Sequence, residues 1–141
     1  MTTIAALSAL PNTLPPCGNA RVALFAIRRM GANGLEDARA AHAFLATFGE
    51  GFRRPLTLAR ALMADMAATS SMPISIAPCC CARMTASEGA LLSILARVEF
   101  APDAALLLMQ DLLGHRRVDG VLASAAALAA AFADEGHPIS A

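Results

Sequence analysis

The sequence predicts an all-α fold, a compact single-domain bundle of about six short helices with one extended connector ahead of a cysteine triplet. Three observations lead there. Alanine, the strongest helix former, makes up about a quarter of the 141 residues. Apolar residues recur at three- and four-residue spacing in successive stretches bounded by glycine, proline or a capping residue. Strand-like alternation is confined to Ile74-Ser75-Ile76.

Taken in order, residues 1–18 carry Pro11, Pro15, Pro16 and Gly18 without sustained periodicity. They read as a loose N-terminal arm with a short helical turn near Ile4 to Leu10. Residues 19–136 form the helical domain, and 137–141 a tail. The first helix is expected over Ala20 to Met30, capped by Asn19, with Val22, Phe25, Ala26 and Met30 on one face. Arg28 and Arg29 then fall in its last turn, where the dipole favours cations, and Gly31 stops it. A second helix spans Leu35 to Phe48 with Glu36 and Asp37 in its first turn. Its apolar stripe is Leu35, Ala38, Ala41, Leu45 and Phe48. Pro55 opens a third, reaching Ala68.

Thr69 to Pro78, punctuated by serine and proline, is the extended connector. Thr85 and Glu88 then form a capping box for the fourth helix, followed by Leu91, Ile94, Leu95 and Val98. Pro102 opens a fifth helix that ends at Gly114. Asp119 caps a sixth, which ends at Gly136.

Composition excludes several classes. Formal net charge is zero and tryptophan and tyrosine are absent, which argues against a nucleic-acid partner. All positive charge is arginine, a pattern that fits codon bias in a GC-rich genome. Mean hydropathy is +0.55, yet the longest apolar run, Val121 to Ala133, is shorter than the ~18–20 residues a membrane span needs. No positive n-region marks a signal peptide. Leu14-Pro15-Pro16-Cys17 only superficially resembles a lipoprotein box. The expectation is a cytoplasmic protein, where thiols stay reduced.

Candidate chemistry gathers at Cys79, Cys80 and Cys81. If extended, Cys79 and Cys81 share a side; if turned, all three thiols are able to converge. Arg83 and the following helix start would favour thiolate. A structural zinc site would show Cys-x-x-Cys spacing, and this chain has none; Cys17, His42 or His115 could complete a ligand set only through the tertiary fold. No cofactor is predicted, with zinc or another thiophilic metal as the alternative. Buried packing is the plain reading, since cysteine packs as a small hydrophobe. A second candidate is Phe52, Arg53 and Arg54, placed before a helix N-terminus as an anion or partner contact. No Ser-His-Asp order, nucleophile elbow or phosphate loop is visible, so the reading leans away from an enzyme.

The blocks Arg28-Arg29-Met30, Gly51-Phe52-Arg53-Arg54-Pro55 and Ala77-Pro78-Cys79-Cys80-Cys81, with Arg83-Met84-Thr85, are similar to those of a family of small bacterial proteins. That family, seen mainly in alphaproteobacteria, is classed as a domain of unknown function. It carries proline where this chain has Ala82 and aspartate where it has Ser87; the capping box survives through Glu88. The resemblance implies a cytoplasmic bacterial protein and no mechanism. The leading expectation is a non-enzymatic helical protein acting through contact with a protein partner or a second copy of itself. The alternative is a thiol-based metal or redox site at Cys79 to Cys81.

Overall fold

Six α-helices form among residues 10–140, the part of the chain that the computed structural model describes. Of the turn expected from Ile4 to Leu10, all but its last residue lies outside that range. Helix α1, Gly18–Asn33, is longer than its apolar pattern suggested. Gly31 does not stop it. The stop comes at Gly34, whose φ of 101° suits glycine and whose N–H returns to the Met30 carbonyl. Its buried face is Ala20, Ala23, Leu24, Ala26, Ile27, Arg28 and Met30, with Val22 and Phe25 only partly covered. Asn19 does not cap the helix. Cys17 holds that position, and the Asn19 amide donates instead to the Pro138 carbonyl at 2.9 Å.

Helix α2, Ala38–Phe48, starts later than expected because Asp37 is its cap, accepting from the Ala40 N–H at 2.9 Å. That start rotates the buried stripe to Ala40 and Phe44, leaving Ala38 exposed and Leu45 46 % exposed. A 3-10 turn, Gly49–Phe52, runs directly into α3, Arg53–Thr69. Helix α4, Ala86–Arg97, has the expected capping box of Thr85 and Glu88. Helix α5, Pro102–Leu113, ends at Gly114 in the left-handed conformation, with φ 62°. In helix α6, Asp119–Asp134, Val118 stands at the cap position and makes no side-chain bond to the first turn. Asp119 is thus its first helical residue and acts on the dipole rather than as a cap.

The connector after α3 is extended, with Ala77 buried and Ile74 and Ile76 half-buried. It does not join a sheet. Pairing occurs instead between β1, Asn12–Thr13, and β2, Arg83–Met84, which run antiparallel with Asn12 opposite Met84. Within the stretch read as a loose arm, these two residues are therefore fastened and Pro15 is buried; in the tail, Ile139 is buried as well.

Packing is pairwise and then layered. Helix α3 lies along α6, α4 along α5, and α1 along α2, with α1 also meeting α4. The cores meet at an aromatic cluster in which Phe44, Phe48 and Phe132 contact edge-to-face at 4.9–5.7 Å between centroids. Such pairs add roughly 0.5–1.5 kcal/mol beyond area burial. No helix is long and apolar enough to cross a membrane among the described residues.

Candidate functional site

The cysteine triplet sits on a turn closed by the Cys81 N–H donating to the Pro78 carbonyl at 3.0 Å. Cys79 and Cys80 occupy its two central positions, and their sulfurs come to 3.6 Å of one another. Neither the extended arrangement nor a three-way convergence forms; the pair is made by neighbours. None of the three is buried: Cys80 is exposed, and Cys79 and Cys81 are partly so. The plain packing reading therefore does not hold, because a surface turn gives these sulfurs no core to fill.

The turn is clamped from beneath by Arg28. Its guanidinium makes two bonds to the Glu88 carboxylate, at 2.8 and 3.0 Å, and donates to the Cys81 and Arg83 carbonyls at 2.9 and 2.8 Å. Glu88 also accepts from the Ala77 N–H at 3.0 Å and the Thr85 N–H at 2.9 Å. Thr85 accepts from the Glu88 N–H and donates its hydroxyl to the Ser75 carbonyl at 2.6 Å. Arg28 is 2 % exposed and Glu88 1 %. A buried ion pair is tolerable only when its remaining donors and acceptors are satisfied, and here they hold both flanks of the cysteine turn. One network therefore caps α4, ties α1 to it and fixes the turn. Arg28 is a mid-helix core residue, not the last-turn dipole partner expected from sequence.

The cation beside the thiols is Arg29. It forks onto Asp37 at 3.0 and 3.1 Å. Asp37 is held below its ordinary carboxylate range, chiefly by that fork. The Cys79 thiol is lowered by the Cys80 hydrogen bond and then by Arg29, with Arg39 adding a weaker attraction. Cys80 is correspondingly raised by Cys79. The two shifts run in opposite directions, so the thiolate form is favoured at Cys79 over Cys80. Arg83, the expected partner, donates to the Leu10 carbonyl at 3.0 Å and so fastens the arm. Beside the thiols an open groove of about 320 Å³ is lined by Leu14, Arg21, Leu24 and Phe25.

The fourth cysteine stands apart as the cap of α1. Partial burial pushes the Cys17 thiol up, but hydrogen bonds with Ser140 and the Asn19 and Ala20 backbone together outweigh this and bring it to about 7. Among the described residues no three Cys, His, Asp or Glu side chains converge to hold a metal ion. His115 accepts from the Arg117 N–H, and His137 meets Asn19 and the edge of Phe48. His42 is exposed rather than at the core edge.

At the second candidate, the Arg53 guanidinium lies over the Phe52 ring at 5.7 Å, and Arg54 pairs with Asp134 at 2.8 Å. The preceding 3-10 turn continues into α3, so these arginines do not stand before a free helix start. Sequence reasoning missed Arg29 and Arg39 as the thiols' neighbours, for they come from α1 and α2 and only the fold brings them there.

No curated protein and no solved structure matches the chain. The profile of a family of unknown function (DUF6628) matches residues 3–131, nearly the whole chain. With the arginine and cysteine blocks lying inside that match, the chain belongs to this family of unknown function, DUF6628.

Proposed function

We propose that the chain works through a vicinal dithiol, Cys79 and Cys80, that captures soft electrophiles and closes reversibly to a disulfide. The observation that carries this reading is the 3.6 Å separation of two solvent-reached sulfurs on a turn clamped by buried hydrogen bonds. Neighbouring Cα atoms lie ~3.8 Å apart, below the roughly 4.4–6.8 Å usual for a disulfide. A bond between neighbours is therefore strained and easily reduced, as a reversible site requires. A reducing bacterial cytoplasm, of the alphaproteobacterial kind the sequence blocks suggest, would keep the resting form a dithiol. Zinc takes four ligands, and the pair supplies two, so a thiophilic centre that needs only two sulfurs fits better. The role is a binding and sensing one rather than turnover.

Phenylarsine oxide tests it, because two thiols condense with the As=O group to form two S–As bonds and release water. The wild type is expected to bind one arsenical at this site, Cys79→Ser and Cys80→Ser to lose it, and Cys81→Ser to keep it. Undiminished capture by Cys79→Ser or Cys80→Ser would remove the reading.

Contact with a partner chain is the second reading. What supports it is Phe100, 85 % exposed between α4 and α5, with Leu107 66 % exposed on α5. A second copy covering this hairpin predicts a dimer by light scattering that Phe100→Ser converts to monomer. A wild-type monomer across micromolar concentrations would count it out.

A further inference from the structure

The surroundings of the dithiol carry more than its sulfurs. Three arginines surround it. Arg21 lines the adjoining groove, while Arg29 and Arg39 both act electrostatically on Cys79 and Cys80. The charge of Arg29 is offset by Asp37, with which it pairs at 3.0 Å. Arg28 also lines the groove, but Glu88 balances its charge. In a chain of zero net charge, this leaves a local positive excess at the thiols. The groove walls are apolar, from Leu24 and Phe25, and Phe25 continues into a second apolar surface beside Arg39 and His42. Fixed positive charge beside low-dielectric walls concentrates anions at the sulfurs.

Resting on the dithiol reading, we infer that the oxidant this pair accepts is a small anionic disulfide, of the kind formed by an acidic cysteine-containing peptide. The Cys79 thiolate attacks one sulfur of that disulfide, forming a mixed disulfide and expelling one small thiolate. The Cys80 thiol passes its proton to the first expelled thiolate and attacks the Cys79 sulfur, expelling the second small thiolate. One small disulfide is reduced to one thiol and one thiolate while the Cys79 thiolate and the Cys80 thiol are oxidised to a disulfide, so electrons and protons balance. Cys79 is the attacking atom because the Cys80 sulfur 3.6 Å away, and then Arg29, favour its thiolate.

The test compares closure of the pair by oxidised glutathione, which is anionic, with closure by cystamine, which is cationic, following loss of two thiols on the full chain by mass spectrometry. At low ionic strength glutathione disulfide should react faster by on the order of tenfold, and that preference should collapse in about 1 M salt. Arg39→Glu should cut the anion-to-cation rate ratio several-fold, the ratio serving as its own control for folding. A ratio insensitive to both salt and Arg39→Glu overturns the inference while leaving the dithiol standing. Failure of both disulfides to close the pair also overturns it, and arsenical capture by the same preparation then tells whether the dithiol reading falls with it.

Discussion

Replacing Arg28 by methionine is expected to destabilise the protein by about 3–5 kcal/mol, because the buried Glu88 charge then loses its partner. For a chain of this size that corresponds to a fall in Tm of roughly 10–20 °C. The single substitution also strips donors from the Cys81 and Arg83 carbonyls. Buried ion pairs elsewhere can often be exchanged for apolar residues without loss. This one should not follow that pattern. The double change Arg28→Met with Glu88→Leu would orphan the Ala77 and Thr85 N–H groups as well as the two carbonyls. Each unmet group costs about 1–3 kcal/mol, so removing the charge imbalance brings no recovery. Thermal and urea unfolding of the single and double variants check this. A double variant as stable as wild type would show that the backbone bonds, and hence the clamp on the cysteine turn, contribute little.

The local half of that network was readable from the sequence and the long-range half was not. Thr85 and Glu88 lie three residues apart, and their reciprocal bonds depend only on a helix starting between them. Arg28 is sixty positions away, at the far side of the connector. A signal did exist. Ala20, Leu24 and Arg28 are spaced by four and share the buried face of α1. Taking Gly31 as the helix stop hid it, since that places Arg28 in the final turn, where a surface dipole role explains an arginine. Local glycine chemistry lost to the tertiary packing of α1, whose end is set by the positive φ at Gly34. The same competition moved the stripe of α2: its cap at Asp37 fixed which residues face inward, and the polar fork from Arg29 fixed Asp37.

The cysteine site divides in the same way. Its place, between an extended connector and the best-capped helix, follows from Pro78 and the Thr85 box. Which sulfurs meet depends on the turn from Pro78 to Cys81, and three consecutive cysteines give no pattern that would choose it. The neighbouring cation could not be chosen either. Arg83 is nearest in sequence, but β2 directs it to Leu10, and the arginine that arrives beside Cys79 is carried by α1.

Phe132→Ala is expected to cost about as much as losing Arg28, roughly 3–5 kcal/mol, by a different route. Phe132 is fully buried and meets Phe44 and Phe48 edge-on, so truncation removes both contacts and leaves a cavity between α2 and α6. Rigid helices on either side can close such a space only in part. Phe132→Leu, which keeps much of the volume, should recover most of the loss; urea unfolding of the pair gives the comparison. The two large effects differ in what else they change. In Phe132→Ala the hydrogen bonds beneath the cysteine turn are untouched, so arsenical capture by the folded fraction should match wild type. In Arg28→Met the turn loses its support on one side, and capture should weaken even where the chain remains folded. Equal capture by both variants at matched folded fraction would mean that the turn holds its two sulfurs together without the buried clamp.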